Sequence, residues 1–133
     1  MTEEDICEKV KNGLVSINGF DKEKDANNLR QLKGGIYIFY DENGNILYIG
    51  MTSFAKTSNL FQRMYGNGNA AHNKKKWFNE IHEVKFYKMN VKNDVQSKIN
   101  IMIVERIMIK NLKPKYNDLF YSQQEIESAY HAL

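Results

Sequence analysis

Apolar residues near the start of the chain recur at helical spacing, and the pattern then changes. Four of them follow one another at intervals of four, four and three: Ile6, Val10, Leu14 and Ile17. This spacing predicts an amphipathic helix over residues 3–17, with Thr2 as its N-cap and acidic side chains in its first turn. Residues 21–33 are mostly polar and lead into the breaker pair Gly34–Gly35.

From residue 36 the chain has the composition and alternation of strands. Runs of β-branched and aromatic residues at 36–40 and 46–49 flank Asn43-Gly44, a strong hairpin signal. If these two residues form the centre of the turn, three cross-strand pairs follow: Tyr40 with Leu47, Phe39 with Tyr48 and Tyr37 with Gly50. Side chains alternate along a strand, so Tyr37 and Tyr48 are expected on one face, diagonal to each other. Gly50 is expected to leave open space beside the Tyr37 ring, and the two tyrosines and this gap predict the floor of a site.

The remaining elements predict an α+β fold. Short helices are expected over residues 59–65 and 73–81, a third strand over 84–89, and a long helix from Asp94 to about Leu112 that Pro114 stops. This order indicates a small, largely antiparallel sheet flanked by helices. We expect a domain over residues 34–118, an N-terminal helical extension over 1–33 and a C-terminal tail over 119–133 that can form a helix.

Composition adds a charge asymmetry to this outline. The chain has 133 residues, 42% of them hydrophobic, which suits one globular domain. Its net charge is only +3, but residues 35–117 carry 13 basic and six acidic side chains between two acidic flanks. Such a centre is attracted to a polyanion. The acidic first residues, the lack of a long apolar run and the single cysteine, Cys7, favour a cytoplasmic setting.

Glu105 is the most informative single position. On the predicted long helix it lies three, four or seven residues from Ile101, Met108 and Leu112, in the middle of the apolar stripe. A buried carboxylate without a partner costs several kcal/mol. Two partners fit this position. One is an ion pair with a lysine or arginine, and the other is a divalent metal ion, because Mg²⁺ is held by one or two carboxylates with phosphate and water.

Two short motifs resemble the paired signature of the GIY-YIG nucleases. Gly35-Ile36-Tyr37 is followed eleven residues later by Tyr48-Ile49-Gly50. The resemblance covers residues 34–118 and extends to four further positions in the expected order: Arg63, His72, Glu105 and Asn117. It implies a three-stranded antiparallel sheet flanked by helices, which agrees with the predicted order of elements.

The resemblance also implies hydrolysis of phosphodiester bonds with one divalent ion, Mg²⁺ or Mn²⁺, held by Glu105. Such an ion stabilises charge that develops on the phosphate and can assist the leaving 3′ oxygen. Arg63 would donate a forked pair of hydrogen bonds to the phosphate, a geometry that lysine cannot reproduce.

The other matched residues take roles by the same resemblance. Tyr37 would accept a proton from the attacking water or position that water, and Tyr48 would orient water or phosphate from the same face. A tyrosine is a poor base near its usual pKa of about 10, so a nearby cation is expected to lower the pKa of Tyr37. His72 would contact phosphate or shuttle a proton, and Asn117 would hold the shape of the site through hydrogen bonds.

One departure concerns a lysine that members of the family often carry close to the site. Met51 and Thr52 stand after Gly50, and Lys56 is the nearest candidate. Basic residues expected to contact DNA phosphates are Lys56, Arg63, Lys74, Lys75 and Lys76.

A metal-dependent DNA endonuclease that nicks one strand per active site is therefore the predicted function. The alternative is a nucleic-acid-binding or adaptor domain of the same fold with little or no cleavage. RNA stays open as a substrate. Because no zinc finger or helix-turn-helix signature supplies base-edge contacts, a homodimer, a protein partner or recognition of DNA structure is expected to add specificity.

Overall fold

A computed structural model describes residues 2–90 and 92–117 of the chain. The elements in this part are α1 (Glu3–Gly13), β1 (Val15–Ser16), α2 (Ala26–Arg30), β2 (Gly35–Tyr40), β3 (Ile46–Thr52), α3 (Leu60–Tyr65), two 3₁₀ helices (His72–Lys74 and Phe78–Glu80), β4 (Glu83–Lys88) and α4 (Val95–Leu112). The predicted C-terminal helix over 119–133 lies outside the described residues. None of the described helices is long and apolar enough to cross a lipid bilayer.

The α+β class is confirmed, with an antiparallel sheet whose strands lie in the order β1-β4-β2-β3. The sheet has four strands instead of three because the first helix ends earlier than predicted. Thr2 caps that helix as expected, but the helix stops at Gly13. Val15 then pairs with Phe86, and the backbone N–H of Ile17 donates to the Val84 carbonyl oxygen at 2.9 Å. Residues that the helical spacing assigns to the first helix thus pair with the outer edge of β4 instead.

The turn between β2 and β3 has three residues, so the predicted two-residue turn is wrong. Asp41 N–H donates to the Asn45 carbonyl at 3.0 Å, and Gly44, with φ of 82°, occupies the left-handed position that such turns require. Tyr40 consequently pairs with Ile46 and not with Leu47.

The register farther along the hairpin is nevertheless as predicted. A shift after Phe39 leaves Leu47 as an extra residue in β3, which is a β-bulge. This bulge cancels the offset that the longer turn introduced. Phe39 therefore pairs with Tyr48, and Tyr37 pairs with Gly50, as the sequence predicts.

The two faces of the sheet pack against different helices. Residues of α1 and α4 cover the face that carries Ile36, Ile38 and Ile49. The opposite face carries Tyr37 and Phe39 and packs against α2 and α3, with Leu29 and Leu60 fully buried between them. The helix α2, in the polar stretch before β2, has no counterpart among the predicted elements.

The later elements follow the prediction with one exception. α3 begins after Asn59, whose side chain accepts from Gln62 N–H, and α4 begins after Asp94, whose side chain accepts from Ser97 N–H at 2.7 Å. α4 ends where Lys113 turns left-handed, with φ of 47°. The helix predicted over 73–81 is instead a pair of 3₁₀ helices separated by residues 75–77.

Candidate active site

A buried hydrogen bond joins the first motif of β2 to the loop that follows α3. The Tyr37 hydroxyl lies 2.7 Å from Nε2 of His72, and only 2% of Tyr37 and 5% of His72 is exposed. Burial is the main reason that the pKa of His72 falls to about 4, and the charges of Arg63 and Lys75 act in the same direction. The imidazole is therefore neutral near pH 7 and can accept a hydrogen bond from the Tyr37 hydroxyl.

The expectation that the pKa of Tyr37 is lowered is wrong for this arrangement, although a cation, Arg63, does lie nearby. Burial raises this pKa well above its usual value, the nearby Tyr48 adds to the effect, and Arg63 only opposes it. Because Tyr37 keeps its proton, we assign its hydroxyl as the donor to Nε2 of His72, which places the imidazole proton on Nδ1. That atom is buried and has no hydrogen-bond partner among the described residues.

The open space predicted beside the Tyr37 ring is not there. A Cβ atom at position 50 would overlap the ring and hydroxyl of Tyr37. Gly50 is thus required so that the tyrosine ring can lie across β3, and the ring itself fills the gap. This close approach directs the Tyr37 hydroxyl away from β4.

Tyr48 lies on the same face as Tyr37, as predicted, and belongs to a row of stacked rings. The centroids of Tyr37 and Tyr48 are 6.2 Å apart, and Tyr48 and Trp77 are 5.6 Å apart at an interplanar angle of 21°. Trp77 in turn stacks on Tyr116 at 5.2 Å and 4°. The His72 ring lies 4.6 Å from Tyr48, so the aromatic row holds both tyrosines against the imidazole.

Arg63 enters the site from α3. Its Nη2 donates to the Ser58 hydroxyl at 3.3 Å, and that hydroxyl also accepts from the backbone N–H of Ser53 at 2.9 Å. Arg63 is exposed, and its positive charge lowers the pKa values of Tyr37, His72 and Glu105. One hydrogen bond therefore orients the guanidinium toward these residues and leaves further donors for an anion.

Glu105 approaches the same residues from α4. Burial raises the pKa of its carboxyl group from 4.5 to about 7, and the charges of Arg63 and Arg106 only partly oppose this. No hydrogen bond or ion pair within 4 Å joins the Glu105 carboxylate to another described residue. Of the two alternatives left by the sequence, a direct ion pair is thus not formed in the described part of the chain.

The surroundings of Glu105 suit a hard divalent cation. Within the described residues, no three His, Cys, Asp or Glu side chains gather as a preformed metal cage. A cation here would rely on the Glu105 carboxylate together with water and a substrate phosphate, the combination typical of Mg²⁺. The positive charge of such an ion would also lower the pKa of Glu105, which burial raises.

Asn117 supports the edge of the sheet. Its side-chain oxygen accepts from the Ile49 N–H and its amide group donates to the Ile49 carbonyl, both at 2.9 Å. Tyr116 N–H and Lys115 N–H continue this pairing along β3 at Leu47 and Ile46. Both ends of the Asn117 amide are occupied, so the side chain positions the strand that carries Tyr48 and is not available to substrate.

The predicted lysines differ in their surroundings. Lys75 is close enough to lower the pKa of His72, whereas the Lys74 ammonium donates to the carbonyls of Asn67 and Gly68, each at 3.0 Å. Lys56 and Lys76 are exposed, and no hydrogen bond or ion pair joins either to the aromatic row within the described residues. The Met51 side chain packs on the opposite face of the sheet from Tyr37.

Two supporting residues escaped the sequence interpretation. Ser58 connects Arg63 to the end of β3, and no residue pattern marks a single serine for that task. Trp77 lies in the segment 73–81 for which the sequence predicts only a short helix, and its ring stacks between Tyr48 and Tyr116. Its signal was present in the sequence as the single tryptophan of the chain, close to His72.

The comparisons with known proteins agree on one family. The family model described as the UvrC-like GIY-YIG domain matches residues 33–118. Relatives named UvrABC system protein C include those of Nautilia profundicola, 37% identical over 99 residues, and Neisseria gonorrhoeae, 33% identical over 86 residues. These alignments cover 64% and 65% of this chain but only 14% and 13% of the relatives. The chain therefore belongs to the family of UvrC-like GIY-YIG domains.

Proposed function

We propose that this chain is an endonuclease that hydrolyses DNA phosphodiester bonds with the help of one divalent metal ion, cutting one strand per active site. Family membership supports the class of reaction. The observation that carries the proposal is the buried Tyr37–His72 hydrogen bond, next to the cation Arg63 and the carboxylate of Glu105. The 34–118 segment would be the catalytic unit.

The Tyr37–His72 pair positions the attacking water. Tyr37 cannot act as a pre-ionised base, since burial raises its pKa. Its own proton is directed to Nε2 of neutral His72 at 2.7 Å, which leaves the Tyr37 oxygen free to accept a hydrogen bond from the water. The water oxygen then bonds to phosphorus as the bond to the leaving oxygen breaks. The proton of the water passes to solvent, and the leaving oxygen takes up a proton from solvent.

Arg63 and Glu105 act on the phosphate. The free donors of Arg63 can bind two phosphate oxygens, which places the scissile group beside the tyrosine and compensates its negative charge. Glu105 would hold the divalent ion. The positive charge of the bound ion would stabilise the negative charge that develops on the phosphate. Tyr48 orients water or phosphate, and Asn117 and Trp77 act only by positioning Tyr48.

The chain spans about one seventh of the length of the relatives that it matches. Recognition in those longer proteins can involve regions that have no counterpart in the aligned part. A homodimer or a protein partner would supply selectivity to this chain, because phosphate contacts carry no sequence information.

Incubation of the purified chain with supercoiled plasmid and with flapped or branched DNA, in Mg²⁺ or in EDTA, tests the proposal. We expect metal-dependent nicks by the wild type that disappear in Glu105→Ala and Arg63→Ala, while circular dichroism shows both variants folded. Arg63→Lys keeps the charge but not the fork and should recover little activity. If wild type and Glu105→Ala behave alike on every substrate, the enzyme proposal fails. Gel shifts that persist in both proteins would then support the binding-domain alternative.

A further inference from the structure

One end of the sheet is rich in lysine and is connected to the candidate active site through Ser53 and Ser58. Hydrogen bonds bring together the start of β2 and the ends of β3 and β4: Gly34 N–H donates to the Ser53 carbonyl and Met89 N–H to the Gly34 carbonyl. The residues around this end include five lysines, which we call the basic edge: Lys33, Lys56, Lys88, Lys92 and Lys98.

The lysines of the basic edge form no direct ion pairs within the described residues. None of their ammonium groups forms an ion pair or a hydrogen bond there, whereas Lys110 pairs with Glu3 at 3.1 Å and Lys115 with Glu80 at 3.7 Å. One carboxylate lies beside Lys92 and Lys98: Asp94 lines the same cavity as these two lysines, and the charge of Lys92 helps to lower its pKa. This carboxylate also caps α4 by accepting from Ser97 N–H at 2.7 Å. Four of the five lysines are exposed, and Lys33 is half-buried.

The opposite end of the sheet has the opposite character. The turn after β2 and the segment before β4 carry acidic side chains: Asp41, Glu42, Glu80 and Glu83. Lys85 and Lys115, the basic residues near them, are both within 4.0 Å of one of these carboxylates. A polyanion is thus attracted to the basic edge and repelled from the other end.

A chain of hydrogen bonds connects Arg63 to the basic edge. The Ser58 hydroxyl, which receives a hydrogen bond from Arg63, also binds the N–H of Ser53. Ser53 lines a cavity of about 250 Å³ between the loop after β3 and the start of α4, and Lys92 and Lys98 lie on its other wall. Arg63 and this cavity therefore lie close together, on either side of the buried Ser53–Ser58 hydrogen bond.

The spacing along α4 suits a second phosphate contact. Lys98 precedes Glu105 by seven residues, which is nearly two turns and about 10 Å along the helix axis. Both residues thus lie on the same side of α4. Val95, 76% exposed between Lys92 and Lys98, offers an apolar contact to sugars. The phosphates next to the scissile phosphate lie within this distance of about 10 Å.

We propose that the basic edge binds the phosphate backbone of DNA beyond the scissile position, with Lys92 and Lys98 at its centre. This inference rests on the proposed function, because it assigns a second contact surface to the same substrate. It assigns part of the affinity for DNA to residues other than those that act on the scissile phosphate. It also predicts that the duplex crosses the start of α4 and avoids the acidic end of the sheet.

Fluorescence anisotropy with a short labelled duplex in EDTA tests the basic edge without cleavage. The double variant K92Q/K98Q is compared with K22Q/K24Q, which removes the same charge from the loop between β1 and α2. Each phosphate contact contributes about 0.9 to the slope of log binding constant against log salt concentration. We expect the slope to fall by about 2 in K92Q/K98Q and by less than about 0.5 in K22Q/K24Q.

The outcomes separate this inference from the proposed function. If the wild type binds DNA and K92Q/K98Q keeps the wild-type slope, the basic edge is not a backbone contact. An equal loss in K22Q/K24Q would show that net charge alone is responsible and would also overturn the inference. If the wild type binds no DNA, the proposed function fails together with it. Binding with the expected slopes but without cleavage in Mg²⁺ would support the basic edge and contradict only the catalytic proposal.

Discussion

Glu105→Gln separates a metal-binding carboxylate from a structural ion pair. The substitution keeps the volume of the side chain and removes its ability to ionise. In a structural ion pair the charge stabilises the fold, and its removal is destabilising. The described residues give Glu105 no such pair, and its carboxyl group is half-buried on α4 with a pKa raised to about 7. Glu105→Gln is therefore expected to stabilise the metal-free protein.

The size of this effect follows from the change in pKa on folding. The pKa of the Glu105 carboxyl group is higher in the folded protein than in the unfolded chain, so its ionisation opposes folding. The stability that the protonated carboxyl group contributes to the fold is therefore lost as pH rises through 7. A shift from 4.5 to about 7 corresponds to about 3 kcal/mol at pH 8, where both states are ionised. At pH 5 the penalty is about 1 kcal/mol because the folded carboxyl group is still protonated.

Calorimetry in EDTA at pH 5 and pH 8 measures this penalty. We expect Glu105→Gln to raise Tm at pH 8 by roughly 10 °C, with a much smaller rise at pH 5. Mg²⁺ should raise the Tm of the wild type at pH 8 and leave that of the variant unchanged. Glu42→Gln, which removes the same charge from the exposed turn, serves as the control. A lower Tm for Glu105→Gln at pH 8 would refute the reasoning and indicate a structural ion pair.

Three further substitutions test how the site is held together. Tyr37→Phe removes the partner of His72 and should destabilise the fold by about 1–3 kcal/mol in urea denaturation. It should also slow DNA cleavage by at least about 100-fold. Asn117→Ala leaves the backbone N–H and carbonyl of Ile49 without partners, and we expect faster hydrogen exchange at the Ile49 amide and a loss of about 2–5 kcal/mol. Gly50→Ala inserts a methyl group where the Tyr37 ring lies, and thermal denaturation should show a loss of about 1–3 kcal/mol.

Matched variants give these results a clear interpretation. Tyr40→Phe removes a hydroxyl from the same strand outside the site and should leave cleavage unchanged. Gly44→Asn tests a glycine with open space around it, where asparagine tolerates the left-handed conformation. Unchanged cleavage in Tyr37→Phe would rule out that the Tyr37 hydroxyl positions the attacking water. An Ile49 amide that exchanges equally slowly in Asn117→Ala would show that other groups hold the edge of β3.

The sequence was sufficient for the cross-strand pairs that build the site because two local differences cancel. The periodicity of β2 and β3 identified the strands, but it could not distinguish a two-residue turn from a three-residue turn. The extra residue in the turn is compensated by the bulge at Leu47, so Tyr37 still pairs with Gly50. Bulges depend on packing across the sheet, which a pattern within one strand does not report.

Contacts between segments that are distant in the sequence account for the features that the sequence did not predict. Leu14 and Ile17 continue the apolar spacing of the first helix, yet Val15 and Ser16 between them form a strand because the outer edge of β4 is available for pairing. The pKa of Tyr37 depends on how deeply its ring is buried, and the motif alone suggested the opposite direction. Glu105, in contrast, was identified correctly as a carboxylate among apolar neighbours, since spacing on a single helix determines that placement.

Single-turnover cleavage of supercoiled plasmid in Mg²⁺, with wild type and Glu105→Gln compared at pH 8, tests the central claim most directly. Metal-dependent hydrolysis predicts that the wild type nicks the plasmid, that EDTA abolishes the reaction, and that Glu105→Gln is slower by at least about 100-fold although its fold is more stable. Equal rates for the two proteins in Mg²⁺ would contradict the claim.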